Sequence, residues 1–95
     1  MQTIYKFPLR ITDLQTISYP AQEKGHAELL SAQFQNGQLV LWMLVEPGEF
    51  TRTVDIEILG TGNPIPELTL NSDRYYISTA QDPNNPLVWH VFARI

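Results

Sequence analysis

The dipeptide Asn36-Gly37, set between the apolar runs Leu29–Phe34 and Leu39–Val45, constrains this chain more than any other feature. A tight type I′ turn needs φ > 0 at both central positions, which Asn and Gly supply at little steric cost. The pattern therefore predicts a β-hairpin. With a two-residue turn, Phe34 opposes Leu39, Ala32 opposes Leu41 and Leu30 opposes Met43. That face is wholly apolar and is expected in the core. The other face pairs Gln33 with Val40, Ser31 with Trp42 and Leu29 with Leu44, which puts Trp42 on the more polar side.

Strand signals continue in both directions. Glu46-Pro47-Gly48-Glu49 reads as a type II turn, with Pro and Gly at its central positions. It feeds Phe50–Leu59, where Arg52, Val54, Ile56 and Ile58 share one face. Thr53, Asp55 and Glu57 share the other, the alternation of a half-exposed strand. Tyr75–Thr79 and Leu87–Ile95 are further strands, separated by the proline-rich loop Asp82–Pro86. In the last of them Leu87, Trp89, Val91 and Ala93 line one face. Near the start, Ile4–Leu9 alternates with Tyr5, Phe7 and Leu9 on one side, and Pro8 restricts it to a sheet edge. Thr12-Asp13 turns into Gln15–Tyr19, which is expected to stop at Pro20. Only Ala21–His26 has room for a single helical turn. Six or seven short strands without a long helix predict an all-β domain spanning residues 1–95, a small antiparallel β-sandwich or partly open barrel.

Bulk properties remove several function classes. The chain has 95 residues, six Lys/Arg against ten Asp/Glu, and a formal net charge of −4. That balance opposes binding to duplex nucleic acid or to an anionic membrane, although a local basic pocket escapes the objection. A domain of this size buries only about 60–65% of its unfolded surface, so an oligomer interface would help to stabilise it. With no cysteine, disulfides, thiolate metal sites and thiol nucleophiles are excluded. The first residues lack a basic-then-apolar leader pattern, and the longest apolar run, Leu39–Val45, is far short of the ~20 residues of a membrane span. A soluble intracellular protein is expected.

Catalytic signals are thin. His26 and His90 have no partner at metal-ligand spacing, and His90 alternates with Val88 and Phe92 as a structural ring would. No serine has a nucleophile-elbow context. The ten carboxylates are scattered, and Asp55 and Glu57 read as solvated strand residues. No cofactor or metal is implied.

Two places can bind a ligand. Gly60-Thr61-Gly62-Asn63-Pro64-Ile65-Pro66 follows a strong strand and packs two glycines and two prolines into seven residues. It is neither a Walker loop, lacking Gly-Lys-Ser/Thr, nor a dinucleotide fingerprint, since the prolines oppose a following helix. The backbone N–H groups of Gly60, Thr61, Gly62 and Asn63 suit a small anion nest; the competing reading is a structural crossing between sheets. The second place is an aromatic and arginine set. Trp42, with Arg52 or Arg74, offers the stacking and charge that hold a base and its phosphate, against the plainer reading of a Trp over the core and solubilising edge charges.

Certain segments also resemble a known family. Tyr5-Lys6-Phe7-Pro8-Leu9, Thr12-Asp13-Leu14-Gln15-Thr16-Ile17, Trp42 through Pro47, Ile58 through Pro66 and Leu87 through Phe92 follow one another as in short proteins of tailed bacteriophages and prophages catalogued as a domain of unknown function. The resemblance covers almost the whole chain, with Gly-Thr-Gly-x-Pro-Ile-Pro as its most specific element. Asn63 stands where other members often carry His. The resemblance implies a phage accessory protein in the cytoplasm of an infected bacterium. Joined to the residues above, it leads to the expectation of a homo-oligomeric, non-enzymatic binder. Such a protein would sequester a small anionic host ligand, such as a nucleotide immune signal, through Gly60, Thr61, Gly62, Asn63, Trp42, Arg52 and Arg74. The alternative is a protein-binding or virion-associated module that uses an edge strand or the hairpin face, with a host or phage protein as partner. A nucleotide hydrolase is the residual enzymatic alternative.

Overall fold

A computed structural model describes residues 1–95 as seven strands and no helix: β1 (Thr3–Pro8), β2 (Leu14–Ala21), β3 (Glu28–Gln35), β4 (Gln38–Val45), β5 (Phe50–Gly60), β6 (Arg74–Gln81) and β7 (Val88–Arg94). They form two antiparallel sheets, ordered β1-β4-β3 and β2-β5-β7-β6. The expected small β-sandwich is what the chain adopts. The inward faces of both sheets supply a single core containing Leu39, Leu41, Met43 and Val45 from one side and Ile56, Ile58, Val91 and Ala93 from the other. Apolar alternation along β4, β5 and β7 puts those side chains on one face of each strand, and burying them is the main favourable term of folding.

The hairpin forms around Asn36 and Gly37, with φ of 52° and 80°. Phe34 pairs with Leu39, Ala32 with Leu41, Gln33 with Val40 and Ser31 with Trp42. Past Ser31 the expected register fails. A bulge at Leu30 moves Leu29 opposite Met43 and Glu28 opposite Leu44, so Leu29 packs on the core and Leu30 is exposed. One extra residue in one strand reverses the facing of everything beyond it.

Three further expectations are corrected. Pro20 does not end β2, which runs on to Ala21. β2 is the outer strand of its sheet, where a missing N–H need not break the ladder. Ala21–His26 holds no helical turn; Gly25 donates to the Gln22 carbonyl at 3.1 Å and closes a simple turn. Gly48 does not have the positive φ of a type II turn. It is needed for space, because a Cβ there would lie 2.6 Å from the Ala21 oxygen and 2.9 Å from the Gln22 Cα. Gly48→Ala is therefore expected to cost about 1–3 kcal/mol through a forced backbone shift, read as a lower denaturant midpoint at unchanged slope.

β3 and β6 bring the two sheets together along one edge without a strand ladder. The buried Ser78 hydroxyl accepts from the Ala32 N–H at 3.0 Å and lies 3.1 Å from the Ser31 hydroxyl. A side chain thus satisfies a buried backbone donor where the strands part. At the far side, Leu9 donates to the Leu39 carbonyl at 2.8 Å, and Gln15 exchanges two hydrogen bonds with the Arg10 backbone. The registers put the β1–β2, β3–β4 and β6–β7 connections at one end of the sandwich, where β5 also finishes. β5 and β6 run parallel on either side of β7, so the segment between them crosses to the opposite end.

Candidate functional site

β5 ends by pairing Gly60 with Trp89 of β7, and the chain then turns sharply. Asn63 donates its N–H to the Gly60 carbonyl at 3.1 Å, and Gly62 has φ of 87° at the third position of that turn. A left-handed third residue is the mark of a type II turn and explains the second glycine. The first glycine answers a different need. A Cβ on Gly60 would lie 2.8 Å from the Asn63 amide nitrogen and 3.1 Å from the Trp89 ring. Thr61 donates its N–H to the Val88 carbonyl at 3.2 Å. With the Thr61 and Asn63 donors spent inside the chain, the loop cannot act as a four-donor anion nest. Its polar character toward a ligand comes from side chains.

Those side chains sit on the outer face of the β2-β5-β7-β6 sheet. The cross-strand pairs Leu59–His90, Glu57–Phe92, Tyr76–Phe92 and Thr79–His90 assemble them. Both ring nitrogens of His90 are engaged: Nε2 lies 2.7 Å from the Thr61 hydroxyl and Nδ1 lies 3.0 Å from that of Thr79. Thr79 continues the chain to the Tyr76 hydroxyl at 2.7 Å. A neutral imidazole donates at one nitrogen and accepts at the other, so it couples the polarity of Thr61 to that of Thr79 and Tyr76. A cleft of ≈ 310 Å³ opens beside this array, lined by Leu59, Gly60 through Asn63, Ile65, His90 and Phe92. A second, of ≈ 360 Å³, lies on the other side of the loop between Trp89, Pro64, Pro66 and Ile11–Asp13.

Glu57 anchors the same face. Sequence alternation makes it a solvated residue, yet its side chain is only 2% exposed. Arg74 grips both carboxylate oxygens, through Nε to Oε1 and through Nη2 to Oε2 at 3.2 Å, and Arg94 donates to Oε2 at 3.0 Å. Arg74 also donates to the Pro66 carbonyl at 2.9 Å, so one guanidinium joins the sheet to the glycine–proline loop. The hydrogen bond that Arg74 donates to Glu57 holds the Arg74 pKa above its ordinary value; burial opposes this and the carboxylate charge adds to it. A raised value means that the charged Arg74 stabilises the fold below its normal titration wherever the Glu57 carboxylate is ionised. On the alkaline side the contribution is lost as pH rises through the shifted pKa. The two arginines converge on one carboxylate, and a second, Asp55, shares the face opposite Arg94 in the ladder. The Arg74 guanidinium also stands 5.9 Å from the centre of the Phe92 ring, which Tyr76 meets edge-on at 5.6 Å.

Of the residues expected from sequence, Gly60, Thr61, Gly62, Asn63 and Arg74 come together here. Trp42 and Arg52 do not. Trp42 pairs with Lys6 and Ser31 on the outer face of the other sheet. Arg52 lies near the start of β5, bound to the Gln22 and Glu23 carbonyls. Tyr76 adjoins Arg74 in the sequence, while His90, Thr79 and Phe92 are members that the sequence reading left out. Their signal was present: the short Asp82–Pro86 connection makes β6 and β7 neighbours, and alternation then puts His90 and Phe92 on one face.

No curated protein and no solved structure matches this chain. A family described as a domain of unknown function (DUF7352) matches residues 1–95, and the chain belongs to that family.

Proposed function

We propose that this protein is a non-catalytic bacteriophage accessory protein that captures a small anionic host molecule. The ligand class is a nucleotide of the kind used as an immune signal, held by a homo-oligomer in the cytoplasm of the infected bacterium. The observation that carries this reading is the cleft between the Gly60–Asn63 turn and the His90 array. It combines an aromatic wall, hydroxyl and imidazole hydrogen-bonding groups, and a neighbouring arginine pair held by Glu57. A base needs a flat apolar surface and a phosphate needs donors and positive charge, and both are within one face of the sheet. Phe92 and Tyr76 take the stacking role in this reading, while Thr61, His90 and Arg74 face the phosphate and ribose. The resemblance of the Gly60–Pro66 segment to phage sequences supports the setting.

Native mass spectrometry of the purified protein, with and without a panel of cyclic and ADP-ribose-type nucleotides, tests this reading. A stoichiometric mass addition released intact on denaturation is the expected result, and the same spectra give the number of copies. The absence of any addition across the panel would move the function to a protein partner. The exposed Ile4 beside Leu44, on the face that carries Trp42, is the surface that reading would use.

A further inference from the structure

The β3–β4 turn and the β6–β7 connection enclose a cleft of ≈ 570 Å³ separate from the His90 array. Four carboxamides line it, those of Gln33, Asn36, Gln81 and Asn84, together with the half-buried ring of Phe34. No ionisable side chain does. The side chains of Asn36, Gln81 and Asn84 make no hydrogen bond within the chain, and Gln33 makes only a long one, 3.5 Å to Ser78.

The backbone holding these amides is fixed by other residues. Asp82 accepts from the Asn84 N–H at 2.9 Å and from the Asn85 side chain at 2.8 Å, and Asn85 accepts from the Leu87 N–H at 2.9 Å. Pro83 and Pro86 stiffen the same connection. Opposite, Asn36 and Gly37 occupy the left-handed conformations of a tight turn. The two walls approach closely, since the Asn84 amide nitrogen would stand 3.9 Å from a Cβ on Gly37. Asp82 and Asn85 are consumed in shaping the connection, while Asn84 is left facing the cleft.

The geometry points to a binding site for an uncharged carbohydrate between the β3–β4 turn and the β6–β7 connection. A carboxamide presents a donor and an acceptor side by side, which matches adjacent hydroxyls that each donate and accept. Phe34 offers an apolar surface to the C–H face of a sugar ring. A charged ligand would lose its hydration here without gaining a counter-charge. An extended peptide would need a free strand edge, and the β3 edge is already turned toward Ser78 of β6. Rigid walls reduce the ordering cost that weakens most binding to exposed polar groups.

The test is an ¹H–¹⁵N NMR titration of the full chain with glucose, galactose, mannose, N-acetylglucosamine, maltose, cellobiose and lactose, reading the side-chain NH₂ signals. At least one sugar is expected to give saturable shifts at Asn36, Gln81 and Asn84. Asn84→Ala and Gln81→Ala, both at exposed positions, should each weaken that sugar about tenfold while the core signals stay in place. Three results would overturn the assignment. One is no saturable shift with any of the seven sugars. Another is shifts that survive both substitutions undiminished. The last is equal shifts from a neutral strand-forming peptide, which would make the cleft a general amide surface.

Discussion

Glu57→Ala is expected to lower the thermal midpoint by about 15 °C, the equivalent of about 3 kcal/mol in a domain of this size. The cause is less the lost contact than what remains behind. Arg74 and Arg94, with side chains 15% and 21% exposed, would keep their charges in a low-dielectric layer without a counter-ion. A small domain has only about 5–15 kcal/mol of stability, so the loss is a large share of the total. Glu57→Gln retains an acceptor oxygen and should fall between the parent and the alanine variant. Arg74 would also lose the partner that positions it against the Pro66 carbonyl, so the Gly60–Pro66 segment should gain amide exchange with solvent. Thermal unfolding followed by circular dichroism measures the first effect. A midpoint within about 3 °C of the parent would show that water screens the trio and that the burial of Glu57 contributes little.

The second large effect concerns binding. His90→Leu removes the hydrogen-bonding partner of both Thr61 and Thr79 while keeping an apolar side chain on the strand. If the cleft captures a nucleotide, affinity should fall by about 30-fold, the loss of one to two hydrogen bonds in a partly desolvated site. Thr61→Val should act in the same direction. Thr61→Ser, which keeps the hydroxyl, should bind as the parent does. That contrast separates a role in recognition from a general loss of structure, because both variants alter the same position in the turn. Titration of the purified variants with the nucleotide captured by the parent provides the comparison. Equal affinity for His90→Leu and the parent would remove the imidazole from the site.

Most of the fold was legible in local chemistry. Asn36-Gly37 specifies its own turn, and period-two alternation along β4, β5 and β7 names the buried face before any partner strand is known. These signals survive because they depend on neighbours within a few residues. The bulge at Leu30 was not legible, since both Leu29 and Leu30 satisfy an apolar pattern and only packing against Met43 chooses between them. Gly48 was legible as a glycine required at a turn, but its reason was not. The approach of Ala21 and Gln22 comes from a segment far away in sequence.

The candidate site divides in the same way. The sequence by itself determined that Gly60–Pro66 bends sharply after a strand, since glycine and proline limit φ wherever they stand. It also determined that no thiol chemistry is available. Only the tertiary structure decided what the bend faces. His90 and Thr79 come from β7 and β6, and Glu57 becomes buried because Arg74 and Arg94 arrive from two other strands. Trp42 and Arg52 carry suitable chemistry but occupy another sheet face and the opposite end of β5. Composition can supply the groups of a binding site, but strand order and register set their distances, and those depend on long-range pairing that no local pattern encodes.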